Sequence, residues 1–227
     1  MKILITSGGT SEAIDSVRAI TNQSTGSLGK IMAEIFLKAG HEVTLVTTKN
    51  AVKPAEQSRL TIYQITDVAS LIATLKTLVK SHDVLIHSMA VSDYTPVYMA
   101  DFAELQTVTD PAQLLAKRNQ ETKISSQAEH QVLFLTKTPK VISQIVEWNP
   151  NIKLIGFKLL VDVPHEELIE VARESLIKNK ADYILANDLK DIQAHQHIGY
   201  LVSKTEEIRA NTKEDIAQLI LERITDD

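Results

Sequence analysis

No cysteine occurs among the 227 residues. That excludes a disulfide, a thiolate nucleophile and a Cys-ligated metal centre. No run approaches the ~18 consecutive apolar residues of a membrane span, and Met1-Lys2 leads straight into an apolar segment where a secretion signal would stand. Positive charge is also short: 24 Lys and Arg face 29 Asp and Glu, a net charge of −5. A general nucleic-acid surface would want a basic excess, so neither nucleic acid nor membrane is an expected partner. The cytoplasm is the expected location. What remains, 44% hydrophobic and 23% charged, is an ordinary globular composition, expected to form a single α/β domain over 1–227.

Glycine is scarce too, which makes its placement informative: four of the seven fall between Ser7 and Lys30. Ile3-Leu4-Ile5 reads as a buried first strand, and Leu28, Ile31, Met32, Ile35, Phe36 and Ala39 repeat on one helical face. About twenty residues separate the two, where a strand-to-helix connection needs roughly two to six. A structureless insert of that length points to a binding loop. It carries Gly8, Gly9, Gly26 and Gly29 with Asp15, Arg18, Asn22, Ser24 and Thr25. Such glycines permit close backbone approach, and Ser24 to Ser27 lie where free helix N–H groups would meet an anion. A Walker A loop fails at Ser24 and Ile31, and the dinucleotide fingerprint loses its first glycine at Ser24. The loop is therefore a phosphate cradle of another kind.

Further strands are expected at Glu42–Thr48, Thr61–Ile65, Asp83–His87, Gln131–Leu135, Lys153–Leu159 and Asp182–Ala186, with a closing hairpin from Gly199–Ser203 and Glu207–Arg209. Helices follow the Asp67 cap, run from His165 to Lys178, and close the chain through Ile216, Leu219 and Ile220. Thr138-Pro139 predicts a further helix through Trp148. Strands joined by helical crossovers make a Rossmann-like, doubly wound, mainly parallel sheet, which binds ligands outside the carboxyl ends of its strands. Residues from about 95 to 130 lose periodicity and read as an arm or lid. His195 and His197, without a third ligand at helical spacing, read as solvated loop and not as a metal pair.

Five runs in order, GGTSEAIDSVRAITNQSTGSLG, AVSDY, TKISS, GFKL and ADYILAND, resemble phosphopantothenate–cysteine ligase in its stand-alone form. The resemblance implies a coenzyme A pathway reaction. The carboxylate of 4′-phosphopantothenate attacks the α-phosphate of a magnesium-bound CTP (or ATP), and cysteine then displaces CMP from the acyl-cytidylate. Phosphopantothenoylcysteine, CMP and pyrophosphate are the products. By the same resemblance, Gly8, Ser24, Gly26 and Gly29 cradle phosphates, and Asn22 meets the carboxyl end of phosphopantothenate and the acyl-nucleotide. Arg18 reaches the neighbouring subunit's substrate, which makes a homodimer the active unit. Met89 (through its backbone), Ala90 and Asp93 contact pantetheine and nucleotide. Lys123 is the mobile-lid lysine that meets the triphosphate, and Lys137 is a further candidate phosphate contact. Phe157 and Asn187 face the base. The fused relatives carry nucleotide-binding lysines where this chain has Ser175 and Asn179, with Lys178 and Lys180 adjacent. The competing expectations are a nicotinamide-dependent reductase, disfavoured by Thr47-Thr48-Lys49 where a ribose-binding acid would stand, and a non-catalytic nucleotide sensor.

Overall fold

The computed structural model describes residues 1–193 and 196–225. The chain opens with β1 (Lys2–Ser7), a small hairpin of β2 (Ser11–Ala13) and β3 (Ala19–Thr21), and helix α1 (Ser27–Lys38). Next come β4 (Glu42–Thr48), β5 (Leu60–Ile65), α2 (Val68–Leu78) and β6 (Val84–His87). The middle of the chain forms β7 (Tyr94–Asp101), α3 (Phe102–Thr107) and β8 (Gln131–Lys137). Then follow α4 (Ile145–Trp148), β9 (Lys153–Leu160), α5 (His165–Asn179) and β10 (Tyr183–Asp188). The two-residue β11 (Ile192–Gln193) and β12 (Gln196–His197) precede β13 (Gly199–Val202), β14 (Glu207–Ala210) and α6 (Lys213–Thr225).

Eight strands form one sheet in the order β14-β13-β10-β9-β6-β1-β4-β5. The six from β10 to β5 run parallel, and β13 and β14 add an antiparallel edge. Alternation along the strands divides the core. Leu4, Leu85, Leu154 and Ile184 pack against Leu71 and Leu75 of α2 and Leu168 and Ala172 of α5. Their neighbours Ile3, Ile5, Ile86, Ile155 and Leu185 face the other way, against Met32 and Phe36 of α1 and Ile216 and Ile220 of α6. Each fully buried Leu or Ile contributes roughly 1.5–3 kcal/mol, so both layers are anchored to the sheet. Strand order reverses between β1 and β6, which is the switch point where such sheets bind ligands. Among the described residues no helix is long and apolar enough to cross a membrane.

Two expectations require correction. The long loop after β1 is not structureless, because β2 and β3 pair within it. Its hairpin is docked by the buried Glu12, whose carboxylate accepts from Val68 N at 2.9 Å and so caps α2 from outside, beside the internal Asp67–Ser70 capping box. The helix predicted from Thr138 begins later, as a 3₁₀ turn at Ile142–Gln144 and a single α-turn in α4. Thr138 is diverted to the preceding loop: its hydroxyl donates to Ser92 O at 2.5 Å and its N–H to Asp93 O at 2.9 Å.

The arm is a β7–β8 hairpin running from the Tyr94–Lys137 pair to the Asp101–Gln131 pair, slightly longer than the aperiodic segment suggested. Its tip folds back on itself. Leu114 is fully buried there, and the Asn119 amide bonds both the N–H and the carbonyl of Met99, at 2.8 and 3.0 Å.

At the end of β10, buried Asp188 ties down the turn between β9 and α5. Its oxygens accept from Asp162 N and Val163 N at 2.9 Å and from Lys190 N at 3.1 Å. Burial alone would raise its pKa, but these N–H donors and the Lys190 ammonium outweigh it and hold the carboxyl at about 2, below the usual 3.8. A depressed folded pKa adds stability above the unfolded value, and that stability disappears as pH falls through the folded one. Asp188→Asn should therefore melt lower than the parent at neutral pH, with the gap closing between about pH 4 and pH 2. Thermal melts across that range check this; a constant gap would show that the charge contributes nothing.

Candidate active site

The two strand ends at the switch point are joined beyond the sheet. Ala90 N donates to Gly8 O at 2.9 Å and Thr10 N to Ala90 O at 3.0 Å, so Gly9 and Ala90 form a parallel bridge. The buried Thr10 and Ser92 hydroxyls bond each other at 3.0 Å, and Ser92 N donates to Thr10 Oγ1 at 2.9 Å. Asn22 crosses directly over this junction. A Cβ on Gly9 would lie 2.3 Å from Asn22 O, so only glycine admits that crossing. Gly26, in the left-handed region at φ 77°, then turns the chain into α1.

A cleft of about 570 Å³ opens here, walled by the ends of β1, β6, β9 and β10, the entry to α1 and the start of α6. Gly26 makes no side-chain cap and the first turn of α1 holds no acid; Ser27 N–H donates to Thr25 Oγ1 at 3.3 Å, and the N–H groups of Leu28 and Gly29 are left available to an anion. Among the described residues the lining cations are Lys140, Lys158 and Lys213, against a single carboxylate, Asp93. Asp93 is itself 3.1 Å from Lys140 Nζ. His87 adds no charge at neutral pH: burial, with Lys140 nearby, brings its pKa down to about 4. Its Nδ1 lies 2.8 Å from Thr6 Oγ1.

Of the residues singled out in the sequence, Gly8, Ser24, Gly26, Gly29, Met89, Ala90, Asp93, Phe157 and Asn187 all line this cleft. Asn22 sits beside the lining residue Gln23, on the Gly9 junction, without lining the cleft itself. Arg18, Lys123 and Lys137 also lie outside it. Arg18 is held by Asp15, with Nε and Nη2 at 3.0 and 2.6 Å from Oδ2, and donates to Ile124 O at 2.9 Å. Lys123 is exposed on the arm, while Lys137 is exposed at the end of β8. Ser175 and Asn179 line the cleft; Lys178 and Lys180 do not.

Three contributors escaped sequence reasoning. Lys140 and Lys213 carry no local signal, since their proximity to the cleft is purely tertiary. His197, read as solvated loop, is instead half-buried against Asn187, with Nε2 3.4 Å from the amide nitrogen. Burial and then Lys213 push its pKa down, and among the described residues its buried Nδ1 has no partner. His195 lies outside the described residues.

The family model described as the DNA/pantothenate metabolism flavoprotein C-terminal domain matches residues 1–226. The chain belongs to this family. Among its similar family members, the coenzyme A biosynthesis bifunctional proteins CoaBC of Thermococcus kodakarensis and Methanocaldococcus jannaschii are each 30% identical over 226 residues. Each alignment covers 98% of this chain and 50% of the relative, so the chain spans about half the length of the curated relatives it matches. Among solved structures, the DNA/pantothenate metabolism flavoprotein from Streptococcus pneumoniae superposes with a TM-score of 0.96 at 57% identity, over 99% of this chain and 98% of that one. The C-terminal domain of CoaBC gives 0.73 at 27% identity, over 100% and 96%. A Cab2 variant in complex with phosphopantothenate-cysteine gives 0.74 at 20% identity, over 99% and 86%, a likeness of fold alone. The bridged β1–β6 switch point and its glycine-lined cleft are thus features of a member of this family.

Proposed function

We propose that this chain is a phosphopantothenate–cysteine ligase acting in coenzyme A biosynthesis. The observation that carries the reading is the convergence, in one cleft and among the described residues, of the α1 N-terminus, whose N-cap is Gly26, with three lysines and one acid. The first half-reaction brings a carboxylate and a phosphate monoester against a triphosphate. Two unit charges 4 Å apart repel by about 4 kcal/mol at an effective dielectric near 20, so a site for this step needs fixed positive charge and preorganised donors. The cleft supplies both.

In this proposal the substrate carboxylate oxygen bonds to the α-phosphorus of CTP and pyrophosphate leaves. The cysteine amine then attacks the acyl carbon, loses a proton and expels CMP. The nucleophile is the substrate's own amine, consistent with a chain that has no cysteine. Gly8, Ser24, Gly26 and Gly29 take the phosphates, and Phe157 and Asn187 the base. Met89, Ala90 and Asp93 guide the pantetheine end. Among the described residues no group of three His, Asp or Glu could hold a metal ion. Magnesium is read as arriving on the triphosphate, through phosphate oxygens and water. CTP is preferred to ATP by resemblance. Exposed Tyr94, Phe102, Leu115 and Leu135 on the arm support its use in a homodimer. The reductase reading gains no support at the end of β4, where Thr47 and Thr48 pack on Ser7 and Gly8.

Protein incubated with magnesium, CTP and 4′-phosphopantothenate should release pyrophosphate stoichiometrically before cysteine is added. Release that is indifferent to phosphopantothenate, or none with either CTP or ATP, would overturn the assignment.

A further inference from the structure

Lys213 opens α6, and its Nζ donates to Ser27 Oγ at 2.6 Å, joining residues 186 apart in sequence. Ser27 is the first residue of α1. The two helices therefore start side by side at the cleft wall. Core packing fixes this placement, because Ile216, Ala217 and Ile220 of α6 share one buried cluster with Met32, Ala33 and Phe36 of α1. Lys213 is not a spare surface cation resting where solvent allows.

Its charge is also uncommitted. Lys140 is paired with Asp93, whereas among the described residues no carboxylate lies within ion-pair distance of Lys213. An ammonium bonded only to a neutral hydroxyl, in a part-buried cleft beside uncapped helix N–H groups, leaves local positive charge unbalanced. The neighbouring wall does not compete for the same duty. Ser175 and Asn179 of α5 satisfy each other, with the Asn179 amide donating to Ser175 O and Oγ at 2.7 and 3.1 Å, and Lys178 and Lys180 fall outside the lining. Lys158 of β9 is a further cation of the cleft, but among the described residues Lys213 is the one bonded to the first residue of α1.

We propose that Lys213 is a nucleotide-binding residue, clamping the phosphate chain of a nucleoside triphosphate against the N-terminus of α1. The assignment rests on the ligase reading for the identity of the ligand. Ser27 serves as the resting partner of the ammonium. When the triphosphate enters, its oxygens replace the hydroxyl as acceptors, and Lys213 and the α1 amides bind the same phosphates.

The test is calorimetric titration of the full chain with Mg-CTP and, separately, with cytidine. Lys213→Met keeps the aliphatic stem and removes the charge. It should weaken Mg-CTP binding by roughly 10- to 100-fold, the scale of a hydrogen bond to a charged group, while cytidine binding stays within about twofold. Lys213→Arg should recover most of the loss. The salt dependence of Mg-CTP binding should be shallower in Lys213→Met, which a purely structural residue would not produce. Unchanged Mg-CTP affinity, or equal losses for CTP and cytidine, would overturn the proposal while leaving the ligase reading intact. Wild-type protein that binds neither CTP nor ATP would overturn both.

Discussion

Gly29→Ala is expected to destabilise the protein and to weaken nucleotide binding, although alanine is the better helix former. Gly29 lies in the first turn of α1, where the exchange alone would favour the helix by about 1 kcal/mol. Packing reverses the sign. A Cβ at this position would lie 2.2 Å from Ser7 Oγ and 2.4 Å from Ser7 Cβ, at the end of β1. Rotating the hydroxyl away leaves the second clash, so α1 must withdraw from the sheet and the bond from Ser7 Oγ to Gly26 O at 3.1 Å is strained or lost. Overpacking of this kind costs about 1–3 kcal/mol or more, and each kcal/mol corresponds to about 2–4 °C of melting temperature in a chain of this size. Retreat of α1 also displaces the amides that face the cleft, so CTP affinity should fall together with Tm. The decisive measurement is a double-mutant cycle. Ser7→Gly removes both clashing atoms, and the Ser7→Gly/Gly29→Ala double variant should be more stable than the two single losses summed. Strict additivity would mean that the contact does not govern the helix position.

Lys123→Gln is expected to slow pyrophosphate release in a single turnover by about a hundredfold, the scale of one transition-state donor, while phosphopantothenate affinity changes only a few-fold. The reasoning lies in how its segment is held. Thr122 O accepts from Ser16 N at 3.0 Å, and Ile124 N donates to Asp15 Oδ2 at 3.1 Å, so both neighbours of Lys123 are pinned to the turn of the β2–β3 hairpin. Arg18, together with the Val17, Arg18 and Ile124 N–H groups, keeps the Asp15 carboxyl well below the usual range despite burial, so this anchor stays ionised at any working pH. Lys123 rests outside the cleft, so under the proposed ligase reading it would meet a triphosphate only in a closed state. Its loss should therefore appear in the rate and not in ground-state binding. Equal losses in rate and in phosphopantothenate affinity would remove Lys123 from the transition state.

The parallel core was legible because its strands are short apolar runs, Ile3–Ile5, Val84–Ile86 and Ile184–Ala186 buried on both faces, with Val and Thr filling the Glu42 strand. Helix α1 was legible from its period and α2 from its Asp67 cap. The β2–β3 hairpin was not, since three-residue strands carrying Ser11, Ala13, Ala19 and Thr21 have no periodic signal, and Glu12 reveals its role only when α2 arrives to be capped. Thr138-Pro139 misled for a related reason: a side chain suited to capping found Ser92 first. At the site, the glycines announced themselves but their reasons did not, because Ser7 beside Gly29 and Asn22 over Gly9 are contacts through space. Lys140, His197 and Lys213 were silent on the same ground.

The pairing of α1 with α6 also bears on biogenesis. Helix α6, synthesised well after α1, covers Met32, Ala33 and Phe36 and brings Lys213 to a cleft whose other wall was made earlier. Chains truncated before residue 213 would display that apolar stripe to chaperones and proteases and could not assemble the Lys213 contact. Interrupted synthesis should therefore yield fragments marked for disposal.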